Sequence, residues 1–113
     1  MPIDYILIRN RLDYKPIKFE SIVYISTDDH LTTFYCADEE TFVCTKPLIK
    51  IMPKLNNDFF QINRSQVINL KRVILLHRNR DIIVDGKVKL VVAYRRYKAL
   101  KERLEECYSV AGI

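Results

Sequence analysis

The chain has 113 residues, 49% of them apolar and 29% charged, which fits a single globular domain (residues 1–113, core about 5–104) with a modest core. Its net charge of +5 is unevenly placed: residues 1–60 carry seven basic and nine acidic side chains, residues 61–113 twelve and five. No run is apolar enough to cross a membrane, and Met1-Pro2-Ile3-Asp4 lacks the charged and apolar parts of a secretion signal. The three cysteines, Cys36, Cys44 and Cys107, are odd in number and lack metal-ligand spacing, so they read as reduced cytoplasmic thiols in or near the core.

Tyr5-Ile6-Leu7-Ile8-Arg9 reads as a first strand, with Asn10-Arg11-Leu12-Asp13 as its turn. Residues 15–20 form a second, where Pro16 points to a sheet edge or a strand start. Ile22-Val23-Tyr24-Ile25 follows, rich in β-branched and aromatic residues. After the polar loop 26–30, residues 31–36 and 41–45 predict a hairpin around Ala37-Asp38-Glu39-Glu40. A short helix over 47–55 places Leu48, Ile51, Met52 and Leu55 at helical spacing, with Pro47 in its first turn and Pro53 ending or distorting it.

Residues 58–73 organise the rest. Phe59-Phe60 requires at least one buried ring, and Phe60 and Ile62 share one strand face while Gln61 and Asn63 take the other. Arg64-Ser65 interrupts the apolar pattern before Val67, Ile68 and Leu70 resume it, so a basic residue is held between two anchored segments. Residues 73–77, 81–84 and 87–92 predict three more strands, the last two joined by a two-residue turn at Asp85-Gly86. A final helix over 95–107 carries the stripe Tyr97, Leu100, Leu104 and Tyr108. The fold class is mainly β: a compact sandwich or partial barrel of short antiparallel strands, with one short internal helix and a C-terminal helix.

Catalytic chemistry finds no support. Gly86 and Gly112 are the only glycines, so no phosphate loop exists, and no H-E-x-x-H, C-x-x-C or paired-carboxylate motif occurs. His30 beside Asp28 and Asp29 has no exposed nucleophile to serve, because Cys36 and Cys44 lie in apolar strand patterns where thiols are inert. The seven tyrosines are not a stacking platform for single-stranded bases: Tyr5, Tyr24 and Tyr35 alternate with Ile and Leu as core residues do.

The spacing Phe60, Arg64-Ser65, Ile68-Asn69, followed late by Tyr94-Arg95-Arg96-Tyr97, resembles the LytTR family of bacterial DNA-binding domains from about residue 5 to 104. The resemblance implies loops of a β-fold, rather than a recognition helix, presented to successive grooves of double-stranded DNA. It places three residues at the family's contact positions: His30 in an early loop, Arg64 between the anchored segments and Arg95 opening the last helix. A guanidinium suits guanine edges, a narrow minor groove or phosphate; a salt bridge of Arg64 with Asp58 or Glu20 is the competing structural role. Where the family commonly has a capping Ser, this chain has Tyr94. Asn63, Lys71, Arg72, Arg78, Arg80, Lys87, Lys89 and Arg96 are the candidate contacts to the DNA backbone.

By the same resemblance the chain is a bacterial transcriptional regulator, the output domain of a two-component response regulator, binding as two copies on repeated half-sites. Its receiver or sensor domain is not in this chain, and no cofactor or metal is implied. The reading from another class is a protein-interaction module that keeps the fold without binding DNA.

Overall fold

Period-two alternation yields ten short antiparallel strands in the computed structural model, which describes residues 4–113. The secretion-signal reading of Met1–Asp4 therefore falls, but for Asp4, outside the described residues. Strands β1 (Tyr5–Arg9) and β2 (Tyr14–Lys18) form a hairpin, closed by the Asn10 side chain, which accepts from the Leu12 and Asp13 amides. Strands β3 (Ile22–Asp28), β4 (Leu31–Cys36) and β5 (Thr41–Cys44) join β6 (Phe59–Asn63) and β7 (Gln66–Asn69) in a five-stranded sheet of order β5-β4-β3-β7-β6. A three-stranded sheet holds β8 (Val73–Leu76), β9 (Asp81–Val84) and β10 (Val88–Val91). Helix α1 (Leu48–Ile51) lies between β5 and β6, and α2 (Tyr94–Cys107) follows β10.

Along β3, β6 and β7 the five-stranded sheet is buried on both faces, while the second face of β4 and β5 is left partly exposed, as at Val43. On one side Ile22, Ile25, Phe34, Phe59 and Val67 pack against Ile6, Ile8 and Ile17 of the hairpin and Leu48 and Ile51 of α1. On the other, Val23, Ile62 and Ile68 meet Ile82, Val84 and Leu90 of the small sheet and Leu100 of α2. The paired aromatics are split between these two cores, Phe59 in the first and Phe60 against the second. Burying a side chain such as Leu100, fully enclosed here, stabilises by about 2 kcal/mol.

Several boundaries differ from the sequence reading. Strand β2 spans 14–18 and ends in a one-turn 3-10 helix at Phe19–Ser21; Pro16 sits within β2, which the hairpin leaves as an edge. Pro47 precedes α1 with extended backbone, and Pro53 lies in the 3-10 turn Met52–Lys54 that finishes the helix. Asp85-Gly86 is part of a three-residue connection, since Val84 pairs Val88 and both Gly86 and Lys87 take positive φ (77° and 62°). Tyr5 is 48% exposed rather than core, because Ile6 and Ile8 take the inward face of β1. Cys107 is exposed near the end of α2, whereas Cys44 is buried and Cys36 half-buried.

Two expectations follow. Asn69, 1% exposed, donates to the carbonyls of Ile22 (2.9 Å) and Phe19 (3.3 Å) and accepts from the Lys71 amide (3.0 Å). Asn69→Ala leaves these buried groups unpaired and should cost about 2–3 kcal/mol, read as a lower urea midpoint at unchanged m. Burial pushes the Cys36 and Cys44 thiols up from their ordinary pKa, so little thiolate forms at neutral pH. A thiol-reactive dye should therefore label the native protein rapidly only at Cys107, a phase that Cys107→Ser removes.

Candidate functional site

Antiparallel strands bring their turns to two ends of the central sheet. Strand β3 spans seven residues, so these ends lie about 20 Å apart. One end carries the β3–β4 turn at Asp29-His30, the β6–β7 turn at Arg64-Ser65 and, through β10, the start of α2. The pairing Ser26 with Gln66 aligns the first two turns, and the Thr27 amide donates to the Ser65 carbonyl at 2.8 Å. The Ala93 amide donates to Ile62 at 2.8 Å, which sets the start of α2 beside the end of β6. His30, Arg64 and Arg95 thus stand on one end of the molecule, all three residues exposed.

Each turn is held from beneath. Asp29 adopts φ 60° to close a two-residue hairpin, and His30 projects beside it with Nε2 3.7 Å from the Asp29 carboxylate. Buried Thr32 ties this turn inward: its hydroxyl lies 3.1 Å from that of Thr27 and 2.5 Å from the Lys46 carbonyl. Asn63 braces the second turn. Its amide donates to Gln66 Oε1 and to the Val91 carbonyl, both at 2.9 Å, while its oxygen accepts from the Ser65 amide at 3.0 Å. The β8–β9 turn joins the row: the Val92 amide donates to the Arg80 carbonyl at 2.9 Å, and Arg80 Nη1 returns a bond to Val92 at 3.1 Å. Arg80 also lies over the Tyr94 ring, 5.8 Å from its centroid.

This geometry separates the expected backbone contacts. Arg78, Arg80 and Arg96 belong to the same end as His30, Arg64 and Arg95; Arg96 Nη1 also donates to the Gln61 carbonyl at 3.3 Å. Lys89 is exposed on β10, 3.9 Å from Asp81. Three others do not belong there. Lys71, Arg72 and Lys87 lie at the opposite end, because β7 and β9 each run away from the turns. Arg72 is a structural cation: Nη1 meets Asp85 Oδ2 at 2.7 Å, Nε donates to the Glu20 carbonyl at 2.8 Å, and Nη2 reaches the same oxygen. Asn63, also expected to face a duplex, has its amide hydrogens and oxygen engaged inside the protein. Among the described residues Arg64 has no ion pair, so neither Asp58 nor Glu20 claims it; Arg72 takes the Glu20 backbone.

Sequence reasoning missed Lys46, which follows β5 into the same end and is exposed there. Its signal was weak: only the buried, mid-strand Thr32 shows that something polar had to be met across β5. The two ends differ in sign. Lys46, Arg64, Arg78, Arg80, Arg95 and Arg96 outnumber Asp28, Asp29 and Asp81 at the turn end, whereas Glu20, Asp38, Glu39, Glu40, Asp58 and Asp85 outnumber Lys18, Lys71, Arg72 and Lys87 at the other. Helix α2 opens in the basic end with no side-chain cap, no acidic residue in its first turn and Arg95 and Arg96 within it. The Arg96 amide turns back to the Ala93 carbonyl at 2.9 Å, which leaves the Tyr94 and Arg95 amides and the positive dipole end open to an anion. Among the described residues no three His, Cys, Asp or Glu are grouped to hold a metal, and no helix is long and apolar enough to cross a membrane.

The sequence matches the LytTr DNA-binding domain family over residues 13–105. The fold superimposes on the LytTr DNA-binding domain of a methyl-accepting/DNA response regulator from Bacillus cereus with a TM-score of 0.76. That alignment covers 91% of this chain and 98% of the other at 16% identity, a likeness of fold. No curated protein matches the sequence.

The opposite end supplies a stability test. Arg72 bridges the 3-10 turn at Phe19–Ser21 and the β9–β10 connection through partly buried charge-assisted bonds. Arg72→Gln should cost about 1–2 kcal/mol, seen as a lower melting temperature with the folded spectrum retained.

Proposed function

We propose that this chain, which belongs to the LytTr DNA-binding domain family, reads double-stranded DNA in a sequence-specific manner as the output domain of a bacterial transcriptional regulator. The observation that carries the reading is the basic end itself. His30 and Arg64 stand on two-residue turns of the central sheet and Arg95 in the first turn of α2 beside them, next to a row of further cations. Arg64 and Arg95 offer bidentate donors to base edges or a narrow minor groove, and His30 donates to or accepts from a base or a phosphate. Lys46, Arg78, Arg80 and Arg96 meet phosphates, and the uncapped start of α2 receives one more phosphate oxygen.

Each reading turn has only two residues between paired strands, so docking orders little that is not already ordered. Two copies on repeated half-sites would double the contact, and a receiver or sensor joined to this domain would supply the signal. A DNA partner of this kind locates the protein in the bacterial cytoplasm. The acidic far end disfavours a duplex laid across the whole molecule and limits contact to the turn end.

A mobility-shift titration at several salt concentrations tests this. With about four cations on phosphates, log K should fall with log salt at a slope of about −3.6. Arg64→Gln with Arg95→Gln should weaken a selected duplex at least tenfold, at about 1–3 kcal/mol per lost base contact, with the melting temperature nearly unchanged. Lys71→Gln with Lys87→Gln, at the far end, should leave the slope as it was. Salt-independent binding, or a slope that follows the far-end pair, would overturn the assignment and favour a protein-interaction module.

A further inference from the structure

The hairpin β1–β2 lies over one face of the central sheet and leaves the outer edge of β1 unpaired. Beside that edge runs an open groove of about 540 Å³, lined by β1, by Cys44 and by Lys46, Lys50, Ile51 and Lys54. Register fixes which backbone groups face it. Leu7 pairs with Pro16, which has no N–H, so Leu7 occupies a non-hydrogen-bonded position of the ladder. By the same alternation the amides and carbonyls of Tyr5, Leu7 and Arg9 point away from β2, into the groove.

The groove has a second, independent character. Its exposed lining is mainly apolar, yet its charged residues, Arg9, Lys46, Lys50 and Lys54, are all basic. None of the four forms an ion pair among the described residues. Leu7 is 55% exposed on the same strand. A free strand edge with an apolar floor and a rim of one sign is a specific request. Its ligand must bring main-chain donors and acceptors, apolar side chains at every second position, and carboxylates between them.

We propose that this groove docks an extended acidic segment of a partner protein, which adds to β1 as a strand with its apolar residues toward Cys44 and Ile51 and its carboxylates on Lys46, Lys50 and Lys54. A fatty acid fits the floor and the charge but leaves the edge amides of Leu7 and Arg9 unmet, which is why a peptide is favoured. The site is distinct from the DNA-reading turns and shares with them only Lys46, at the point where the groove reaches the basic end.

The test uses the full chain and three probes: a dye-labelled octapeptide alternating Val and Glu, its Ser and Glu counterpart of equal charge, and myristate. The Val–Glu peptide should bind by fluorescence anisotropy and slow hydrogen exchange at the Leu7 and Arg9 amides, with little change at Ile6 and Ile8, which already face β2. The double variant Lys50→Glu/Lys54→Glu, confined to exposed side chains, should weaken it about tenfold at an unchanged melting temperature. Equal binding of the Ser–Glu peptide would reduce the site to plain charge attraction and overturn the proposal. Binding of myristate alone would make it a lipid site, and binding of the peptide without protection of Leu7 and Arg9 would place it elsewhere; either result overturns the proposal.

Discussion

The central sheet of this protein is covered on both faces along β3, β6 and β7, so what these strands offer another molecule must come from their ends. Ile25, Phe34 and Val67 close one side and Val23, Ile62 and Ile68 the other. With both faces buried, a one-residue slip of β3 or β7 would move an entire row of side chains into the wrong core, and register is correspondingly firm. That firmness reaches the turns. Ser26 opposite Gln66 and the bond from Thr27 to Ser65 hold the His30 and Arg64 turns side by side. Asn63 then carries the same register out to β10 and the start of α2. The turns at this end acquire in this way a fixed position relative to one another.

Strand positions were legible because each strand alternates between a core and another surface, and period two survives wherever that is so. The strands covered on both faces still alternate, since successive residues go to different cores, as Phe59 and Phe60 do. The three candidate residues could be singled out only through spacing and resemblance, since no local pattern distinguishes Arg64 from an ordinary turn arginine. What the sequence hid was the end of the sheet on which a cation falls. In an antiparallel meander the chain reverses at every turn, so residues close in sequence go to opposite ends. Lys71 and Arg72 follow Arg64 within eight positions yet stand a full strand away, and Arg80 returns to the first end. The cations of the basic half of the sequence are therefore divided between both ends, and Lys46 of the acidic half joins those at the turns. The bracing role of Asn63 was hidden for a related reason: the Val91 carbonyl to which it donates comes 28 residues later.

The start of α2 shows how a local cost is tolerated for position. Ala93 supplies no cap, and two arginines sit at the positive end of the helix dipole, an arrangement unfavourable by some tenths of a kcal/mol for each charge. The helix is secured elsewhere, by the enclosed Leu100 and by the Tyr108 hydroxyl donating to the Leu70 carbonyl at 2.7 Å. Arg80 over Tyr94 and the Ala93 amide on Ile62 then fix where the first turn points. A Ser at the cap position would satisfy one of the first amides within the protein; Ala93 leaves those of Tyr94 and Arg95 without a side-chain partner.

Distance decides how the two ends of opposite sign act on a polyanion. They are about 20 Å apart along β3, while charges at physiological ionic strength are screened over about 8 Å. At contact, then, the carboxylates of the β4–β5 turn do not oppose a phosphate held at Arg64, and Lys71 and Lys87 do not assist it. At low salt, where screening lengthens, both ends are felt before contact and the molecule turns its basic end toward the duplex. For the duplex proposed above, the arrangement thus separates approach from affinity: the whole charge distribution would orient the encounter, and the cations of one end would hold the complex.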